Sequence, residues 1–288
     1  MTLHPTADDA LDRKIRDAVA LFRSRSPLEE ATLTLDGTGP NGPLQLAVMQ
    51  AIGRDDLPRL GRVNVLSGST FSFLGLVARL SGEHRISYDE LIVEGDRRNR
   101  RAHRAGVGRT LTFLVAGRIR KRPMFAGGTH GTVLAQYVSD AFAAKRVADL
   151  GVNASFWLYD LDRKEPVRVA RDGELGDATL AEVANCVAAV PRLYPAGRLA
   201  GRRFIDPVYS PAYRDLMKAL RAEADNHLIA NVIKDRTDAR EIFLVPHPHG
   251  DGRKMIRGDF LRLAFNLPNP RIADAYRRAQ RLAAAPTA

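Results

Sequence analysis

Gly37, Gly39 and Gly42 fall within six positions, directly after the alternating apolar run Leu33-Thr34-Leu35 and just ahead of an amphipathic segment from Leu44 to Ile52. Glycine lets the backbone turn through φ > 0 and approach a ligand closely, and the unpaired N–H groups of such a loop and of a following helix start face negative charge. The pattern is an anion cradle, and the anion is either a phosphate or the oxyanion of a reaction. A second glycine-bearing turn, Ser67-Gly68-Ser69-Thr70, follows the short apolar run Val63 to Leu66. On their own, Ser69 and Thr70 read as caps of a helix beginning near Phe71, and Asp206 as the cap of a turn after Phe204-Ile205. His247 and His249 lie among prolines and glycines with no further ligand assigned, so they read as a surface turn and no metal is expected. The single cysteine, Cys186, stands among small apolar residues as a core position, which excludes an internal disulfide and favours a reducing, cytoplasmic setting.

Gly37, Gly39 and Gly42 also satisfy G-x-G-x-x-G, the dinucleotide fingerprint. The acidic residue that should end the second strand is missing, because Val63 to Leu66 runs into Ser67 and Gly68, and Pro40 and Pro43 remove two N–H donors from the cradle. A P-loop is excluded because no Gly-Lys-Ser/Thr follows. No cofactor is expected.

The charge is unevenly placed. The net charge is +11, and the stretch from Arg97 to Arg122 holds ten Lys or Arg and no Asp or Glu. Arg97, Arg98, Arg100, Arg101, Arg104 and Arg109 precede the apolar run Leu111 to Ala116, and Arg118, Arg120, Lys121 and Arg122 follow it. Apolar residues flanked by arginines suit an anionic bilayer, where the stems snorkel and the insert reaches the acyl boundary. Nucleic acid is disfavoured as a partner, since Phe113 is the only aromatic in the block and no DNA-binding spacing is present. The alternative is a solvated basic surface.

The elements that must position these residues alternate between strand and helix. Leu11, Ile15, Ala18 and Phe22 mark one face of a helix from Asp8 to Phe22. Strands are expected at Ala31 to Leu35, Val63 to Leu66, Ala154 to Tyr159, Pro166 to Ala170, Phe204-Ile205 and Glu241 to Val245. Helices are expected at Leu44 to Ile52, from Phe71 through Ala78, and at Val133 to Lys145, Leu180 to Ala189, Tyr213 to Ala224 and Arg271 to Leu282. This alternation predicts an α/β fold with a mainly parallel sheet covered on both faces and the ligand beyond the carboxyl ends of the strands. The expected organisation is an N-terminal helical extension, residues 1–30, followed by one domain, 31–288, with a basic insertion at about 95–125. No apolar run reaches the ~18 residues of a membrane span, and Met1 to Asp9 is too polar for a secretory signal.

The stretch Leu35-Asp36-Gly37-Thr38-Gly39-Pro40-Asn41-Gly42 resembles the oxyanion loop of patatin-like phospholipases, G-G-G-x-R-G between a strand and a helix. Val65 to Ser72 lies where that family carries its G-x-S-x-G nucleophile elbow. Val187 to Pro195 followed by Gly201 to Asp206 resembles its small-residue helix, its Pro-aromatic-Pro approach and the strand ending in the catalytic Asp-Gly-Gly. Phe156 to Asp162 with Pro166 to Val169 resembles its central hairpin. These segments keep the family's order from Ala31 to Val245. The resemblance implies a three-layer α/β/α patatin-like sandwich and a Ser-Asp dyad that hydrolyses lipid acyl esters without histidine or metal. It assigns Thr70 or Ser69 as nucleophile, Asp206 as base, and Gly37, Thr38, Gly39, Asn41 and Gly42 as the oxyanion loop.

Every one of these motifs departs from the family pattern. Thr38 stands for the middle glycine and Asn41 for the arginine. Pairing Gly68 with the first elbow glycine puts Thr70 at the serine position and Ser72 at the second glycine. Shifting by one to Ser69 leaves Ser67 and Phe71 at the flanking positions. Pro207 and Val208 replace the two glycines after Asp206. The resulting expectation is an acyl hydrolase, attenuated by these changes. The alternative is an inactive relative that binds an anionic membrane surface, at the inner face, or a protein through its Arg-rich segment.

Overall fold

Thr32–Leu35 and Arg62–Leu66 are short runs with buried apolar side chains, and in the computed structural model they form β1 and β2 near the centre of an eight-stranded sheet. The structure describes residues 7–80, 97, 100, 107–112, 115, 145–233, 240–245 and 252–284. The remaining strands are β3 (Ala154–Asp160), β4 (Glu165–Ala170), β5 (Gly197–Leu199), β6 (Arg202–Ile205), β7 (His227–Asn231) and β8 (Glu241–Phe243). Their order is β5-β6-β3-β2-β1-β7-β8, with β4 paired to β3. Strands β3, β2, β1, β7 and β8 run parallel, while the pairs β3-β4, β3-β6 and β5-β6 are antiparallel. The fold is therefore mixed α/β around a mostly parallel sheet.

Successive side chains of a strand point to opposite faces. On one face Leu33, Leu35, Val63, Val65 and Phe156 join the main core. That core also takes side chains from α1 (Ala7–Arg25), α2 (Leu46–Ile52), α3 (Ser69–Leu80), α5 (Leu180–Val187), α7 (Gly252–Ala264) and α8 (Pro270–Ala284). A short helix, α4 (Val107–Thr112), lies beside α7. On the other face Leu66 and Ile229 pack under Leu216, Met217 and Leu220 of α6 (Tyr213–Arg221). Phe73 of α3 meets Phe156 of β3 edge-on with ring centroids 6.0 Å apart, which docks the helix after β2 onto the sheet. Each such buried ring contributes about 1.5–3 kcal/mol.

Several boundaries differ from the sequence expectation for local reasons. The helix expected from Leu44 begins as a 3-10 segment, Gly39–Gln45, because Pro43 has no N–H to donate and Asn41 keeps a non-helical φ/ψ of −100°/23°. The helix placed near Phe71 starts two residues earlier, at Ser69. Strands β5 and β7 and helix α7 lie outside the sequence expectation. β7 is buried along its whole length, so it shows no alternation, and β5 is three residues long. The helix expected at Val133 to Lys145 lies, apart from Lys145, outside the described residues. No helix among the described residues is long and apolar enough to cross a membrane.

Candidate active site

The sheet register brings two distant loops to one point. Along one edge of β3, β2 runs parallel and ends with Leu66 opposite Trp157, while β6 runs antiparallel and ends with Ile205 opposite Tyr159. The other edge of β3 is taken by β4. The two strands therefore approach each other head-on, and the next residue of each, Ser67 and Asp206, arrives beside Leu158. The Ser67 Oγ donates a short hydrogen bond to Asp206 Oδ2, closing a separation of 139 residues.

Ser67 is the first of the two turn residues, Ser67 and Gly68, between β2 and α3, and its φ is +55°, in the left-handed region that non-glycine residues avoid. A positive φ between a strand and a helix turns a side chain out of both elements, the geometry of a nucleophile elbow. The hydroxyl that meets Asp206 is therefore that of Ser67, and not that of Ser69 or Thr70. Both lie within the first turn of α3, past the elbow. The Ser69 hydroxyl donates instead to the Asp36 carbonyl at 2.5 Å, and the Thr70 hydroxyl is buried without a hydrogen-bond partner. The usable signal was positional, a serine at the first residue past a buried strand and followed by glycine. The flanking Val65 and Ser69 do not fit G-x-S-x-G, so the motif did not reveal it.

Asp206 is fully buried, and its two oxygens have separate tasks. Oδ2 accepts from Ser67, while Oδ1 accepts the Val208 N–H at 2.9 Å and so caps the 3-10 turn Pro207–Tyr209. Pro207 occupies the first position of that turn, where a missing N–H costs nothing. The Asp206 N–H donates to the Ala189 carbonyl at 3.1 Å, which ties the carboxylate to the segment leaving α5. Strand β6 is aimed by a two-residue hairpin in which Ala200 (φ 48°) and Gly201 (φ 75°) both have positive φ, matching the strand twist. Burial raises the Asp206 carboxyl from its ordinary 3.8 to about 7, against hydrogen bonds from Ser67 and Val208 that lower it, with the Asp36 charge adding to the rise.

Asp36, at the end of β1, is a second buried carboxylate, raised by burial to about 6 despite the Tyr213 hydroxyl 2.7 Å from both its oxygens. Its Oδ1 also takes the Gly37 N–H at 2.7 Å, so that donor is spent within the loop. The Asn41 N–H is spent as well, on the Thr38 carbonyl. The N–H groups of Thr38, Gly39 and Gly68 donate to no group among the described residues. The two glycine turns are in contact. Strand register sets Gly37 beside Ser67, a Cβ at Gly68 would overlap the Gly39 carbonyl oxygen, and one at Gly42 would stand 2.6 Å from the Gly68 carbonyl oxygen. Glycine at 68 is thus required by close backbone approach. Gly39 (φ +56°) rests against Ile256 and Phe260 of α7.

Of the basic block, Arg98, Arg101, Arg104, Arg118, Arg120, Lys121 and Arg122 lie outside the described residues, as do His247 and His249. Arg97 and Arg100 are helical. Within the same stretch Val107, Leu111 and Val115, spaced four apart, are exposed by 53 to 69%. Among the described residues no group of three His, Cys, Asp or Glu could hold a metal ion.

No family model matches the sequence, and no curated protein matches it. Among solved structures, VipD from Legionella pneumophila is similar to this chain with a TM-score of 0.42 and 13% identity, over 88% of this chain and 67% of that chain.

Proposed function

We propose that this chain is a serine acyl hydrolase of the patatin-like kind, with that family's three-layer α/β/α architecture and with Ser67, rather than Ser69 or Thr70, as its nucleophile. The observation that carries this reading is the Ser67–Asp206 hydrogen bond at a strand-to-helix elbow of positive φ. As Ser67 Oγ attacks the ester carbonyl, its proton passes to Asp206 Oδ2. The charge that develops on the carbonyl oxygen meets the unspent N–H groups of Gly68, at the head of α3, and of Thr38 and Gly39 in the glycine loop against it. Asp206 then returns the proton to the departing alkoxide, and water repeats the sequence in reverse on the acyl-enzyme. A carboxyl raised to about 7 is a far better base at neutral pH than an ordinary aspartate, because proton transfer favours matched pKa values. The departures from the family pattern leave this core intact, since Thr38 and Gly39 act through their backbone and Pro207 fits its turn.

Turnover of p-nitrophenyl acyl esters of short, medium and long chain tests the reading. Ser67→Ala abolishes turnover, while Ser69→Ala and Thr70→Val retain it within about tenfold. Full activity in Ser67→Ala, or wild-type protein inert on every chain length, would refute it.

A second reading, docking on an anionic membrane, is favoured by the exposed Val107, Leu111 and Val115 inside the arginine-rich stretch. Burying an apolar side chain in the interface gains about 25 cal/mol per Å². Leu111→Asp should then release the protein from phosphatidylserine vesicles at low salt, and equal retention of variant and wild type would remove this reading.

A further inference from the structure

The segment that follows Gly39 is held from behind by a closed ring of four residues, joined through their side chains and the Arg271 backbone N–H, none of which hydrogen-bonds Ser67 or Asp206. Asn41 Nδ2 donates to Asp259 Oδ2 at 2.9 Å, Arg271 Nη1 donates to Asp259 Oδ1 at 2.6 Å, the Arg271 backbone N–H donates to Asn269 Oδ1 at 3.1 Å, and Asn269 Nδ2 donates to Asn41 Oδ1 at 3.0 Å. Asn41, Asp259 and Asn269 are each no more than 2% exposed. The ring joins three segments: the glycine loop, α7 and the start of α8.

Its polarity is fully specified. The Asp259 carboxylate accepts on both sides, the Asn41 amide donates on one side and accepts on the other, and no donor faces a donor. An amide at position 259 breaks this pattern in either orientation, because its NH2 must face the Asn41 NH2 or the Arg271 guanidinium. Turning the Asn41 amide only moves the clash to Asn269. An unpaired buried donor is destabilising, which favours a shift of a loop whose backbone already touches the elbow at Gly68.

We infer that Asp259 is a positioning residue: through this ring it sets where the Thr38 and Gly39 N–H groups stand relative to Ser67. The inference rests on the hydrolase reading for its catalytic consequence and on the ring geometry for its structural one. The gap between the ring and the chemistry is spanned by the 3-10 turn, in which the Asn41 N–H donates to the Thr38 carbonyl at 3.1 Å, so a displaced Asn41 carries Thr38 with it.

The test is a swap. Asp259→Asn alone and Asn41→Asp alone each leave a mismatch, donor against donor in the first and carboxylate against carboxylate in the second. The double substitution restores all four hydrogen bonds with the polarity of one link reversed. In Asp259→Asn, kcat on a p-nitrophenyl ester should fall about 10- to 100-fold with KM within about twofold, as misplaced catalytic groups produce. Amide hydrogen exchange in the peptide spanning Asp36 to Gln45 should quicken. The double variant should recover both, and it also serves if a single variant does not fold. The inference is overturned if exchange in that peptide is unchanged in Asp259→Asn, or if the double variant is no better than the singles. It is equally overturned if the only change is a lower Tm with kcat per folded molecule intact. Failure of the hydrolase reading would appear separately, as Ser67→Ala retaining turnover, and the exchange measurement would still judge the ring.

Discussion

Asp206→Asn should abolish turnover and change the stability of the protein in a pH-dependent way, and both effects come from one buried carboxyl. The group loses its proton near 3.8 in the unfolded chain and near 7 in the folded one. Between those values the native state holds a proton that the unfolded state has released, so wild-type stability falls as pH rises through this window and levels off above about 7. At 1.36 kcal/mol per pH unit, the gap amounts to at most about 4 kcal/mol. The asparagine cannot ionise and escapes this loss. It has one oxygen where the carboxylate used two, so either the Ser67 hydroxyl or the Val208 N–H goes unpaired, at about 1–3 kcal/mol at every pH. The variant should therefore be less stable than wild type near pH 4 and equal or more stable near pH 8. Asp36 titrates in both proteins and largely cancels in the difference. Urea unfolding of the two proteins, followed by circular dichroism across that range, measures the quantity directly. A difference that stays flat with pH would show that the carboxyl is not held protonated by burial, and the argument for its strength as a base would fall with it.

In the proposed mechanism the same carboxyl sets the pH dependence of the rate. If it must be ionised to accept the Ser67 proton, kcat/KM should fall tenfold per pH unit below about 7, and an acid limb near pH 4 would contradict the assignment of Asp206. Gly68→Ala forces a methyl group onto the Gly39 carbonyl oxygen, a backbone atom that cannot swing aside, and should cost about 1–3 kcal/mol together with most of the turnover. A variant with unchanged Tm and turnover would mean that the two glycine turns are not in close backbone contact.

Much of the frame can be read from the chain alone, because strand and helix follow from local periodicity. Leu33 and Leu35, and Val63 and Val65, mark two strands whose carboxyl ends carry glycine turns, and Leu11, Ile15 and Phe22 mark a helix that the core buries. β7 and α7 escaped because a strand buried on both faces and a helix with a weakly sided pattern give no such period. Of the two, α7 matters more to the site, since its Asp259, Ile256 and Phe260 form the wall behind the glycine loop.

Residue types and short-range order, then, were determined by the sequence: a glycine cradle after one strand, hydroxyls after the next, an aspartate after a third, on an α/β frame. Which hydroxyl meets the aspartate was decided by tertiary structure. Ser67, Ser69 and Thr70 are near neighbours in sequence, and they differ only in where β2 stops and α3 starts, a boundary set by packing of Phe73 on Phe156 and by pairing along β3. The meeting itself depends on β2 and β6 ending head-on against the same edge of β3, which no local pattern encodes. The raised Asp206 carboxyl is likewise a property of burial, and the Asn41–Asp259–Arg271–Asn269 ring of hydrogen bonds spanning more than 200 residues. Periodicity is a short-range signal, whereas chemistry at this site depends on distances between parts of the chain that only the folded sheet brings together.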